Sequence, residues 1–286
     1  MARPLTISHV ELRQGGRFGF RVVDEAPALP SEVFLRGTLV VLVHGFATNR
    51  GRAERGYGEF ATHVSAASRR GVVFLGVHWP GDHPWGPLVS VPTFSLRVGP
   101  AEESGRRIAQ LIERTYSRSV VLVGHSLGCR VVLSALAELG AEHPRVRVRA
   151  TYLMAAAVPE ADCRDGARYG SSNLPRTTQV VRSSLKDPVL RGLFRPGMFL
   201  ARGSTPGGER DGGRAVGRSA GPPGRWTGGW WSTSTELKHG EYWGSEDMAR
   251  QLALVTGVAK ANTPARRQVR SRDIGERRVH RFEPTR

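Results

Sequence analysis

The chain has 286 residues, with 42 Lys and Arg against 25 Asp and Glu and a formal charge of +17. That length holds one large domain or two small ones, and 39% hydrophobic residues beside 35 Gly and 18 Pro indicate a lean core with an excess of loop. Two cysteines, Cys129 and Cys163, exclude a disulfide framework, and no run approaching 18 apolar residues is present to span a membrane.

In chain order, residues 4–12 and 17–23 read as short strands around the turn signal Arg13-Gln14-Gly15-Gly16, so the chain is expected to open with a hairpin. Met1 to Gly16 carries Arg3, His9, Glu11 and Arg13 and has no apolar run of signal-peptide length. With the cysteine count, this predicts a reducing, cytoplasmic setting. Leu39 to Val43 is a continuous apolar run, followed by a helix-compatible stretch from Arg52 to Arg70. Val72 to Val77 repeats the run, and Ala101 to Tyr116 places Ile108, Leu111 and Ile112 on one helical face. Ser119 to Val123 and the Cys129 to Leu139 helix form the third and clearest cycle. Further runs at Val148 to Val158 and Thr178 to Leu185 precede a short helix near Val189 to Phe194, and Trp230 to Leu237 is a candidate last strand. Strands apolar on both faces that alternate with helices predict an α/β fold, a mostly parallel sheet with helices on both sides.

Two segments break the pattern. Residues 195–225 hold 9 Gly and 4 Pro and a net charge of +4, and residues 262–286 hold eight Arg against three acids, or +5. Both are expected to be mobile or disordered, one interrupting a domain over 1–261 and the other a basic tail. They carry more than half of the +17. Only Lys186, Lys238 and Lys260 are lysines, an arginine bias that a GC-rich coding sequence produces without functional demand. Nucleic acid is therefore not an expected partner.

Gly124-His125-Ser126-Leu127-Gly128 is a Gly-x-Ser-x-Gly sequence with a strand before it and a helix after it, the context of a nucleophile elbow. The bare pattern is weak in a chain this rich in glycine, since Gly217-Arg218-Ser219-Ala220-Gly221 matches it too, without that context. Ser126 is the candidate nucleophile, Ser219 is not. A serine hydroxyl needs a base and an orienting acid, following in the order Ser, acid, His. His143 comes too early and His280 lies in the tail, which leaves His239 as base. Asp187, after a strand and before Pro188, is the candidate acid, although Asp-Pro is also an ordinary helix N-cap with Pro at N1. Glu160, Asp162 and Asp165 compete for the acid role, Glu160 and Asp162 above all. The backbone N–H groups of Phe46 and Leu127 are the expected oxyanion donors, with His44 beside them in a structural role. His78, Trp79, Asp82, His83 and Trp85 cluster without a metal-ligand spacing and read as an aromatic loop at the sheet edge. Cys129 reads as a packed thiol. Neither metal nor cofactor is expected.

His44-Gly45-Phe46 after a strand, the elbow at Ser126, Asp187 after a later strand and His239 near the end together resemble the serine α/β-hydrolase superfamily over residues 4–258. Trp79-Pro80, Asp187-Pro188-Val189-Leu190 and His239 ahead of Tyr242-Trp243 look like a sparsely characterised, esterase- or lipase-like group within it. The resemblance implies a serine hydrolase cleaving a small-molecule ester or thioester through an acyl-enzyme. An acyltransferase on the same triad, and a catalytically silent hydrolase fold that binds a polyanion through its basic segments, remain open alternatives. The 195–225 segment departs from the usual path between acid and last strand.

Overall fold

The computed structural model describes residues 5–15, 21–34, 37–68, 71–82, 90–115, 119–142, 148–164, 166–170, 177–201, 213–218 and 230–257. They form strands β1 (Ile7–Glu11), β2 (Arg13–Gln14), β3 (Arg21–Val22), β4 (Thr38–Val43), β5 (Val72–His78), β6 (Val120–His125), β7 (Val148–Met154), β8 (Thr178–Ser183) and β9 (Trp230–Ser234). The helices are α1 (Arg50–Ala67), α2 (Ser90–Ser95), α3 (Val98–Glu113), α4 (Gly128–Glu142), α5 (Pro188–Gly192), α6 (Phe194–Leu200) and α7 (Glu246–Val255).

β4 and β6 are buried at every position, as strands covered on both faces must be. They sit at the centre of a seven-stranded sheet ordered β1-β5-β4-β6-β7-β8-β9, in which all the ladders are parallel. From β4 the chain moves outward through α1 to β5, then returns through α3 to β6 on the other side of β4. With right-handed crossovers this reversal puts α1 on one face and α3 and α4 on the other. The packing agrees, α1 against α7 and α3 against α4. Ala53, Tyr57, Phe60, Ala61 and Val64 form the buried stripe of α1, whose start is capped by Asn49 accepting from the Arg52 N–H. The carboxyl ends of β4 and β6 lie side by side at the point where the winding reverses, the crevice that open α/β sheets use for binding.

The opening hairpin is shorter than the sequence suggests. Only Arg13–Gln14 and Arg21–Val22 pair antiparallel, while Ile7–Glu11 joins the main sheet beside β5 in parallel register, because the alternation of β1 has an inner face that buries Val10. The expected mobile segment at 195–225 falls partly outside the described residues. Within it, 195–200 complete α6, and 213–218 are tied to the segments that follow β7 and β8 by the Pro159–Ala215 bridge and by the Ser184 N–H donating to the Gly217 carbonyl. The expected disordered tail at 262–286 lies outside the described residues. No helix among the described residues is long and apolar enough to cross a membrane.

Candidate active site

β6 ends at His125 and α4 begins at Gly128, so Ser126 stands on the turn between them with φ +52, a left-handed conformation that serine rarely adopts. Two close approaches hold it there. A Cβ on Gly128 would lie 2.3 Å from the His44 carbonyl oxygen, and one on Gly124 would lie 2.8 Å from the Gly128 oxygen and 2.9 Å from Cys129 backbone atoms. The turn can therefore form only with glycine at both positions, at a local strain of about 1–3 kcal/mol that the surrounding core sustains.

The Ser126 Oγ lies 2.9 Å from His239 Nε2, and His239 Nδ1 lies 2.7 Å from Asp187 Oδ2. The three groups thus form a continuous hydroxyl–imidazole–carboxylate relay, assembled from β6, the segment after β9 and the residue after β8. Asp187 is fully buried, and its other oxygen, Oδ1, accepts from the Val189 and Leu190 N–H groups at 2.9 and 3.0 Å. One carboxylate oxygen of Asp187 thus caps the helix that begins at Pro188, and the other meets His239. Burial by itself would raise the Asp187 carboxyl; the hydrogen bond and charge of His239 and the two cap amides outweigh it and leave the group below its ordinary value.

The competing acids lie elsewhere. Asp162 receives the Arg130 guanidinium at 2.9 Å, in a buried ion network that also binds Glu102 at 2.8 Å. Glu160 begins a 3-10 turn, with its N–H on the Arg214 carbonyl. Asp165 lies outside the described residues, as do Ser219 and the tail histidine His280.

The sequence reading missed His125. Its ring is buried, and Nε2–H donates to the His239 carbonyl at 2.6 Å. Burial, then the neighbouring His239, lowers its pKa to about 3, so the ring is neutral and its one proton is committed to that bond. Tyr242 and Trp243 flank it, and Trp243 meets Tyr57 and Phe60 of α1 edge-on. The loop that carries His239 is thereby anchored at its backbone and by two aromatic residues. The signal available in the sequence was the Gly-His-Ser triplet itself, which places a donor next to the nucleophile.

His44 is buried, with its backbone N–H on the Tyr57 hydroxyl at 2.7 Å, its carbonyl receiving Trp79 Nε1–H at 2.8 Å and its ring stacked on Trp79. Burial lowers its pKa to about 4, and its ring nitrogen Nδ1 is engaged with the Gly45 carbonyl at 2.9 Å rather than with Ser126. Phe46 follows at the mouth of the site, and Leu127, directly after Ser126, opens the first turn of α4, where the helix dipole favours negative charge. In the sheet-edge cluster, Trp79 is buried and Asp82 is held by Arg13 at 2.6 Å, while His83 and Trp85 lie outside the described residues. Cys129 is a buried thiol on the Met154 carbonyl, pushed well above its ordinary pKa by burial.

Ser126 and His239 open onto a cavity of about 250 Å³ walled by Phe46, Phe94, Val189, Leu190, Leu193 and Phe194. Its walls are apolar apart from those two polar groups, the usual composition of a small-molecule site.

A doubly wound parallel sheet, with a serine on a strained strand-to-helix turn and a histidine and an aspartate converging on it, defines the α/β-hydrolase class. Residues 40–281 match the model of the Alpha/beta hydrolase family, and the chain belongs to that family. No curated protein matches the chain. Among solved structures it is similar to an uncharacterized protein from Bacillus cereus, at 15% identity over 82% of this chain with a TM-score of 0.42; it spans 63% of that protein's length. It is also similar to the product of the Listeria innocua gene lin2722, at 8% identity, 79% and 96% coverage and a TM-score of 0.47. TT1662 from Thermus thermophilus is matched at 16% identity, 78% and 88% coverage and a TM-score of 0.45.

Proposed function

We propose that this hydrolase is a serine esterase that cleaves a carboxylic ester or thioester of a small molecule through an acyl-enzyme. The observation that carries the reading is the unbroken relay from Ser126 Oγ through His239 to Asp187, at 2.9 and 2.7 Å. In the proposed sequence, His239 Nε2 takes the Ser126 proton as Oγ attacks the carbonyl carbon, and returns it to the leaving oxygen or sulfur. Asp187 keeps the imidazole proton on Nδ1, so that Nε2 presents a lone pair to the serine. The N–H groups of Phe46 and Leu127 are the proposed donors to the oxyanion, with the α4 N-terminus behind them. Water then repeats the attack on the acyl-Ser126 ester with His239 as base. The apolar cavity supports an apolar acyl group, and its modest size supports a short one.

The test is a fluorophosphonate probe on the purified chain, with a p-nitrophenyl ester series of increasing acyl length alongside. Labelling of the wild type, its loss in Ser126→Ala and a preference for short apolar acyl groups are the expected results. Wild-type protein that resists the probe, or Ser126→Ala that labels equally, would overturn the reading. Product analysis with added alcohols separates hydrolysis from acyl transfer, because the two differ in water exclusion and share the residues.

A further inference from the structure

Beside His44, three metal-ligating side chains from three separate elements converge. His9 comes from β1, His78 is the last residue of β5, and Glu54 lies early in α1. His9 Nδ1 is 3.1 Å from His78 Nε2, and His78 Nε2 is 3.8 Å from Glu54 Oε1. One ligand atom from each lies within 4.8 Å of the others, and this is the one group of three or more His, Cys, Asp or Glu that does so among the described residues.

We propose that His9, His78 and Glu54 form a binding site for a divalent transition-metal ion of the zinc type, separate from the Ser126 centre.

Two metal–nitrogen bonds of about 2.0–2.1 Å span the observed 3.1 Å when they meet at roughly 100°, close to the tetrahedral angle. The carboxylate needs to move only a few tenths of an ångström to reach a tetrahedral separation of about 3.4 Å from His78 Nε2, and its side chain is 39% exposed.

The backbone makes room for the cluster. In the β1–β5 register His9 is opposite Gly76, and His78 lies two residues further along the same face of β5. A Cβ at Gly76 would stand 2.7 Å from His9 Nδ1, so only glycine allows the His9 ring to lean over the strand and meet His78 edge to edge.

Lone pairs outnumber protons at the cluster. The two ring nitrogens share at most one proton between neutral rings, and the carboxylate adds acceptors but no proton. The cation held against the carboxylate is Arg50, with Nε 2.7 Å from Glu54 Oε1, and its side chain is 59% exposed, so an incoming ion can displace it.

Two imidazoles and one carboxylate match a zinc-type donor set with a fourth position left for water. The His78 ring lies 6.1 Å from the His44 ring. An ion there would pin the edge strand β1 and helix α1 to β5.

The experiment uses the full chain, stripped with a chelator and titrated with Zn²⁺ by calorimetry and with Co²⁺ by visible absorption. One equivalent of ion with the intense absorption of four-coordinate Co²⁺ is expected, together with a higher melting temperature. His9→Gln and Glu54→Gln, each checked for folding by circular dichroism, should weaken binding at least ~10-fold. Arg50→Gln should tighten it by roughly 2- to 5-fold, the worth of an exposed ion pair. Absence of binding, or equal binding by wild type and His9→Gln, overturns the proposal. Fluorophosphonate labelling of Glu54→Gln at the wild-type rate is also expected, which keeps this result distinct from the fate of the esterase reading.

Discussion

Replacing Asp187 by asparagine separates the two tasks of one carboxylate. The amide oxygen of the new side chain would keep the two cap bonds that Oδ1 now accepts from Val189 and Leu190 at 2.9 and 3.0 Å. Its NH₂ group would then face His239 Nδ1, where Oδ2 now accepts at 2.7 Å. Two donors cannot share that contact, so the imidazole shifts its proton to Nε2 and loses the lone pair that the proposed mechanism aims at Ser126. The expected loss in kcat is about 10⁴-fold, the size of this effect in Ser-His-Asp enzymes, or about 5.4 kcal/mol at 1.36 kcal/mol per decade. Stability falls less, by about 1.5–3 kcal/mol for one charge-assisted hydrogen bond. Asp187→Ala also loses the cap and should fall about 1 kcal/mol further. Ester turnover, fluorophosphonate labelling rate and a thermal melt of both variants make the assay. Asp187→Asn retaining activity within tenfold of wild type would refute the tautomer argument, and identical melting of the two variants would refute the cap argument.

Ser126→Gly removes a side chain from a backbone at φ +52; it should abolish labelling yet stabilise the fold by about 1 kcal/mol, raising the melting temperature by roughly 2–4 °C, and a lowered melting temperature would contradict the strain. His125→Phe keeps an aromatic ring but strands the His239 carbonyl, and should lower kcat more than it raises KM, by about 10- to 100-fold if His239 is the base, because a part-buried acceptor is left unpaired at about 1–3 kcal/mol. His125→Gln, which restores a donor, should recover part of it; equal loss in both variants would make the role one of packing alone. Buried His44, His78 and His125 have pKa values near 4, 3 and 3 against 6.5 unfolded, so the unfolded chain binds more protons below about pH 6.5 and stability drops as pH falls. At pH 5 the three together cost about 6 kcal/mol, comparable with a typical total of about 5–15 kcal/mol. The depressed carboxyl of Asp187 acts in the same direction. Melting temperature measured against pH should therefore collapse between pH 6 and 4, and a flat profile would show that these rings are solvated.

The parallel sheet was legible because Leu39–Val43 and Val120–Val123 are uninterrupted branched runs, and a strand buried on both faces has no other composition. Strand ends were less so. The run to Val158 stops pairing at Met154 because Ala155 turns with φ +47, and an apolar run carries no mark of the residue at which its ladder ends. β1 shows the same limit: its alternation declares one buried face but not which strand it pairs with. In the candidate site, chain order and flanking elements pointed to Ser126, Asp187 and His239, but the choice of Asp187 over Asp162 needed three dimensions, since only the fold puts Arg130 against Asp162. His125 and the His9–Glu54–His78 cluster escaped for the same reason, their partners being 114, 45 and 24 positions away.

β9 pairs with β8 in parallel register from Gln179–Trp230 to Ser183–Ser234, Asp187 follows four residues beyond the end of β8, and His239 follows five residues beyond the end of β9. The two side chains that meet at 2.7 Å therefore hang from adjacent strands of one ladder. A slip of β9 by two residues, the smallest that keeps its faces, would carry His239 about 6–7 Å along the sheet and away from both Asp187 and Ser126. The register of a single edge ladder thus sets the geometry of the whole site.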